Sequence, residues 1–350
     1  MDSRLHSDLY LLAAFWTGVG ALLLTLLIAV QIVYLRLAAR RLKRREQALT
    51  ARWRPALNAA IVGVSEISLP GLRSAERMLF LKLWVHLHQS VRGEASGGLN
   101  EVAYRLGCDA YARRLLRKGN RAQRLLAILA LGHLRDAAAW GDLLGVVHGR
   151  DSAASVHALW ALVQADAGRA AREVAPMLLQ REDWAMSQLA NILKDARAEW
   201  EPVLAEAVAG TDQAQLPHAL RLLSALRLSL PAQQLRGLLN HPVAEVVSCA
   251  LRLAATPDLL DEVRRQLGHG DWRVRVQAVR TLGQLGDHSD VERLRRLLGD
   301  QQWWVRYRAA QALLGLPFLT PDDLAALQQD GMDRYALDML KQVRAEQEAA

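Results

Sequence analysis

The hydrophobic pattern changes abruptly at residue 36. Leu9 to Leu35 contains no charged side chain, whereas the next ten positions include Arg36, Arg40, Arg41, Lys43, Arg44 and Arg45. A helix rises about 1.5 Å per residue, and about 20 apolar residues cross a hydrocarbon core of roughly 30 Å. The run therefore predicts a transmembrane helix over 9–35, with tilt or emergence at the ends taking up its excess length. Tyr10 and Tyr34 stand near the two ends, where amphipathic rings favour the interface. A cleavable signal has a shorter apolar core and a small-residue cleavage site, so this length and its basic stop read as an uncleaved anchor. Positive residues stay cytoplasmic. Residues 1–8 are then a short external N-terminus, 36–54 a basic juxtamembrane stem, and the rest of the chain cytoplasmic.

Further along, the pattern becomes helical and repetitive. Val274, Arg275, Ala278 and Leu282 are answered 31 positions later by Val305, Arg306, Ala309 and Leu313. Val246, Ala250 and Ala254 hold the same places 28 residues upstream, and Arg124, Ala127, Leu131, Gly132 and Asp136 repeat the pattern. Between 150 and 230 it is weaker, carried by spacing through Ala158–Leu162, Leu189–Leu193 and Leu220–Leu226. About seven repeats fit between 120 and 330. Asp271 and Asp300 stand where helix N-caps belong, and Gly283 and Gly286 where a helix and its turn close. Arg275 and Arg306 are expected to reach acidic groups between neighbouring repeats. One helix pair cannot bury its apolar face, but stacked pairs with polar end units can. The fold class predicted is all-α, an α-solenoid of stacked helix pairs after one transmembrane helix.

Residues 55–119 fit the repeat poorly and read as a helical N-terminal cap and linker, with breaks at Pro55, Pro70-Gly71 and Gly93 to Gly98. Thr320-Pro-Asp-Asp323 reads as a helix start with Thr as cap. Residues 331–350 read as a C-terminal capping helix, and Asp330, Asp333 and Asp338 give this end its acidic character.

Charge sharpens this division. The net charge of +8 suggests a nucleic-acid binder until it is located. The stem holds eight basic residues against Glu46, while residues 55–350 carry 35 basic against 33 acidic groups. A nearly neutral solenoid lacks the basic face that phosphate binding needs, so nucleic acid is an unlikely ligand. The stem suits anionic lipid headgroups and serves equally as a plain orientation signal. The local run Tyr111 to Arg121 is basic too, and either lies toward the headgroups or forms a solvated helix face, the commoner case.

Candidate chemistry is sparse. Cys108 and Cys249 make no CxxC pair, so no disulfide framework or zinc site is indicated. His86 and His88 diverge by about 200° on a helix and cannot share a metal; each reads as a surface or boundary histidine. There is no phosphate loop, HExxH or GxSxG, so no catalytic, cofactor or metal residue is assigned. Arg236, Arg264 and Arg295 each precede a matching leucine by three residues and form a ladder on the second helices. The ladder is either a partner-binding row or a solvated row paired with neighbours such as Glu262 and Glu292. Trp184, Trp272, Trp303 and Trp304 stand at the start of first helices. Adjacent Trp303 and Trp304 cannot both point inward, which makes them the preferred partner-binding patch. In the span, Ala13, Thr17, Ala21, Thr25 and Ala29 recur every four residues, a face through which two copies could pair.

The segments 271–316 and 120–136 resemble the short HEAT-type repeat, the version also seen in phycobilisome-lyase-like proteins. With 39 Arg to 5 Lys and abundant Ala and Leu, the chain has the look of a bacterial protein. The resemblance implies a protein-binding scaffold and no enzyme. With the anchor, it implies recruitment or regulation of a partner at the cytoplasmic face of an inner membrane. An envelope or exopolysaccharide assembly, with a membrane glycosyltransferase as client, is what the resemblance suggests. A nucleic-acid-binding solenoid and an enzyme of unrecognised type are the alternatives.

Overall fold

The computed structural model describes residues 2–64, 67–90, 95–320, 323 and 334–348, with side chains described for these except at 2–15, 21 and 95. All regular structure among them is helical. Asp330 and Asp333, and the side chains of Ala13 and Ala21, lie outside the described residues. The chain divides into two compact units, Met1–Ala139 and Trp140–Ala350.

The first unit is built on one long helix. α1 (Asp2–Val62) runs without interruption from the apolar segment through the basic stem. Pro55 lies inside it and does not break it, contrary to expectation. Positions 36–45 are exposed all round, and burial begins at Leu49. Trp53, Leu57 and Ala60 then enter the core against α2 (Arg77–Ser90) and α3 (Ala95–Arg105). Trp53 meets Phe80 edge to face, with ring centroids 4.6 Å apart. Trp84 donates its indole N–H to the Leu99 carbonyl at 2.8 Å.

Of the expected break at Gly93 to Gly98, Gly93 lies outside the described residues, while Gly97 and Gly98 lie within α3 and not in a break. Gly98 is required there for packing. A Cβ on it would stand 2.0 Å from the Ala60 carbonyl oxygen, so only glycine lets α3 pass this close to α1. Pro70-Gly71 does fall in non-helical chain. α4 (Cys108–Lys118) and α5 (Arg121–Leu134) complete the unit. The basic run on α4 is partly neutralised, since Arg113 pairs with Asp109 at 2.8 Å and with Asp136.

The second unit is a stack of helix pairs. It opens with α6 (Trp140–Val147). First helices α7 (Ser152–Ala165), α9 (Met186–Leu193), α11 (Leu216–Leu226), α13 (Ala244–Leu253), α15 (Trp272–Leu285) and α17 (Trp303–Leu314) each pack on the next. Second helices α8 (Ala167–Leu178), α10 (Arg197–Ala209), α12 (Ala232–Leu239), α14 (Leu260–Gln266) and α16 (Val291–Leu297) alternate with them. A final helix, Arg334–Glu348, covers α17 and buries Ala336, Met339, Leu340 and Val343. Val246, Val274 and Val305 are each fully buried, as are Ala250, Ala278 and Ala309. The repeat positions read from the sequence are therefore the core.

Polar groups join neighbouring repeats. Thr281 donates to the Leu251 carbonyl at 2.8 Å, and Gln266 to that of Leu239 at 2.9 Å. Asp271 caps α15 by accepting from the Arg273 N–H. Asp300 is not an N-cap, because Gln302 holds that place. Asp300 instead accepts from the Gln302 N–H and takes both arms of Arg275 at 2.8 Å across the repeat junction. Arg306 meets no acid among the described residues; its guanidinium donates to the carbonyls of Asp300 and Gln301. Arg275 makes the equivalent pair of bonds to His269 and Gly270. Gly286 caps α15, but Gly283 lies inside that helix, where a Cβ would come within 2.8 Å of Ala312 Cβ on α17. Thr320 and Asp323 form the expected reciprocal cap.

Candidate functional site

Helix spacing places Trp303 and Tyr307 on one face of α17, four residues apart. Their rings stack with centroids 5.0 Å apart and planes 12° from parallel. Trp304 stands nearly perpendicular to both, at 4.8 Å from Trp303 and 6.4 Å from Tyr307. Three aromatic rings therefore form a corner. Both tryptophans remain exposed, Trp303 at 39% and Trp304 at 51%, so neither is spent on the core. A contiguous exposed aromatic cluster on a folded surface marks an interaction site more often than a scattered apolar residue does.

The corner has a polar edge. The Tyr307 hydroxyl donates to Glu346 on the final helix at 2.6 Å, and Gln342 donates to the other carboxylate oxygen at 3.0 Å. The Tyr307 bond, joined by that from Gln342, holds the Glu346 carboxyl below the usual range. The same bond pushes the Tyr307 hydroxyl up. Tyr307 and Glu346 were not singled out in the sequence, although the four-residue step from Trp303 to Tyr307 was readable there.

The other tryptophans differ. Trp184 is buried and donates to the Ser155 hydroxyl at 2.8 Å. Trp272 is half-buried, with the Arg273 guanidinium 5.1 Å from its ring centroid.

The arginine ladder is occupied by acids. Arg236 lies 3.5 Å from Glu262 of the next repeat. Arg264 grips the fully buried Asp290 at 2.7 and 2.9 Å, and reaches Asp287 and Asp261. These bonds, Asp290's first, raise its already high pKa. Arg295 pairs with Glu292 at 2.7 Å. Two rungs thus tie one repeat to the next, and Glu292 of its own helix is one partner of the third.

Arg36, Arg40, Arg41, Lys43, Arg44 and Arg45 all project from the exposed part of α1. The apolar segment of α1 is long and apolar enough to cross a membrane, and the part of it with described burial is unburied. Thr17, Thr25 and Ala29 lie on its exposed surface.

His88 corrects the surface reading, being buried at 6% exposure. Its ring stacks on His133 of α5 at 4.6 Å, with Trp84 tilted against it at 4.4 Å. Burial lowers the pKa of both imidazoles, and that of His133 to about 4. Among the described residues no group of three or more His, Cys, Asp or Glu is placed to hold a metal ion.

Comparison with known proteins adds one family. A model of HEAT repeats matches residues 249–314, covering part of α13 and all of α14, α15, α16 and α17. No curated protein matches the chain. Among solved structures, an engineered protein aligns over 74% of this chain and 96% of its own at 17% identity, with a TM-score of 0.22. The family match and the stacked helix pairs agree: residues 249–314 are similar to HEAT repeats, and the fold is an all-α solenoid.

Proposed function

We propose that the protein is a membrane-tethered HEAT-repeat scaffold that recruits or regulates a protein partner at the cytoplasmic face of a bacterial inner membrane. The exposed aromatic corner of Trp303, Trp304 and Tyr307 carries this reading, because it offers a rigid anchor of the kind that dominates protein interfaces. The apolar part of α1 supplies the span, and its basic continuation sets the orientation and contacts anionic headgroups. Thr17, Thr25 and Ala29 belong to the face through which two spans would pair. Confinement to one membrane raises the effective concentration of scaffold and client, so modest affinity suffices. A membrane glycosyltransferase of an envelope or exopolysaccharide assembly is the client this arrangement suits.

The test is a mild-detergent pull-down of full-length protein beside the Trp303→Ala/Trp304→Ala variant. The variant is expected to lose at least tenfold of the recovered client while keeping the circular dichroism melt of the parent. Equal recovery by the two removes the corner from the binding surface. Alkaline extraction of membranes from cells expressing the protein tests the tether: release into the soluble fraction would exclude a spanning helix.

A further inference from the structure

A second surface lies two repeats away from the aromatic corner and is independent of it. A groove of about 560 Å³ opens on the first-helix face over α13, between α11 and α15. Repeat register explains why it exists. Ala244, Trp272 and Trp303 are the first residues of α13, α15 and α17. Where two successive repeats place an indole, α13 places a methyl group. One turn on, Ser248 stands where those repeats have Val276 and Tyr307. The outward row of α13 is thus small at two consecutive turns, while its flanks are tall. Trp272 forms one wall, and Arg221 of α11 rises on the other side.

The charges in the groove do not cancel. Arg221 pairs with Glu245, and Arg273 with the helix-capping Asp271 at 3.8 Å. Arg252, next on the same row as Ala244 and Ser248, lines the groove and is exposed, with no acidic partner among the described residues. The result is a half-apolar trough with a ring at its side and the Arg252 guanidinium at its end. A volume of this size is ordinary for a site that takes a ligand or a few side chains.

We propose that this groove binds a short acidic segment of a partner protein in which an aromatic side chain lies beside a carboxylate. The ring fills the space above Ala244 and Ser248 against Trp272, where offset or edge contacts between rings are favourable. The carboxylate pairs with Arg252 in a forked, charge-assisted bond. Specificity follows from the same parts: a basic segment meets the Arg252 charge, and a segment of small residues leaves the trough unfilled.

The test uses full-length protein in mild detergent on an array of immobilised octapeptides. Phe, Trp, Leu or Ala sits at the centre of each, beside Asp, Glu, Lys or Ser. Retention is expected on the aromatic-acidic spots. Ala244→Trp restores the residue that the next two repeats carry at this position and fills the trough; Arg252→Glu reverses the charge at an exposed site. Each is expected to cut retention at least tenfold, and Arg150→Glu, a charge reversal at an exposed arginine outside both surfaces, to leave it unchanged, which ties the loss to this groove. Retention on no aromatic-acidic spot, equal retention on the lysine spots, or an unaltered pattern with Ala244→Trp would each overturn the proposal.

Discussion

At the scale of single residues, the clearest consequence lies in the stacked pair of His88 and His133. Both imidazoles have their pKa lowered, burial being the largest cause, and His133 falls to about 4. In the unfolded chain they titrate near 6.5. Between these values the unfolded state binds more protons than the folded one, so stability falls as pH drops from about 6.5 toward 4. For His133 alone the loss is on the order of 1–2 kcal/mol by pH 5. Urea unfolding followed by tryptophan fluorescence at pH 7 and pH 5 measures it, with His133→Phe keeping a ring and removing the titration. A difference between the two pH values that survives in the variant would assign the effect elsewhere. This pair was not legible in the sequence, because 45 residues separate the two histidines and neither forms a motif. The arginine ladder was half legible: the three-residue step to leucine and the neighbouring Glu262 and Glu292 were visible, but not that Arg264 reaches Asp290 and Asp287 in space.

At the scale of elements, glycine is where the sequence reading and the structure part most. Glycine signals a break when read along the chain, but it also permits contact between helices, and the pattern alone does not distinguish these roles. Gly98 and Gly283 are both of the second kind. Gly98→Ala is expected to destabilise the first unit by about 1–3 kcal/mol, since α1 backbone rather than a movable side chain occupies the space. Gly97→Ala meets nothing within 4 Å and serves as its control. Equal urea midpoints for the two variants would show that α3 can shift away from α1. Pro55 also misleads: it is exposed, and the helix continues through it because Trp53, Ala56 and Leu57 on either side are anchored in the core, which offsets the hydrogen bond a proline removes. The core valines and alanines of the repeat were fully legible, because a fixed period repeats the same burial each time. The groove over α13 was legible in principle, in the alignment of Ala244 with Trp272 and Trp303, but an absent side chain draws less notice than a present one.

At the scale of the whole molecule, the feature that matters is the unbroken course of α1 from its apolar segment to the core of the first unit. Between Leu35 and Leu49, the first buried position, the helix advances about 21 Å. The tether proposed above is therefore a shaft and not a leash. Each residue inserted into it lifts the first unit by about 1.5 Å and turns it by about 100°. Two alanines placed after Glu46 rotate the unit by about 200°, whereas seven bring it back to within about 20° of its starting azimuth. Cross-linking of the exposed Lys82 of α2 to membrane neighbours should accordingly change with two inserted residues and return with seven, although the longer insertion displaces the unit further. Cross-linking that declines steadily with length would mean that height alone is set. Cross-linking that follows the helical screw would mean that α1 also fixes the compass bearing of the first unit within the membrane plane.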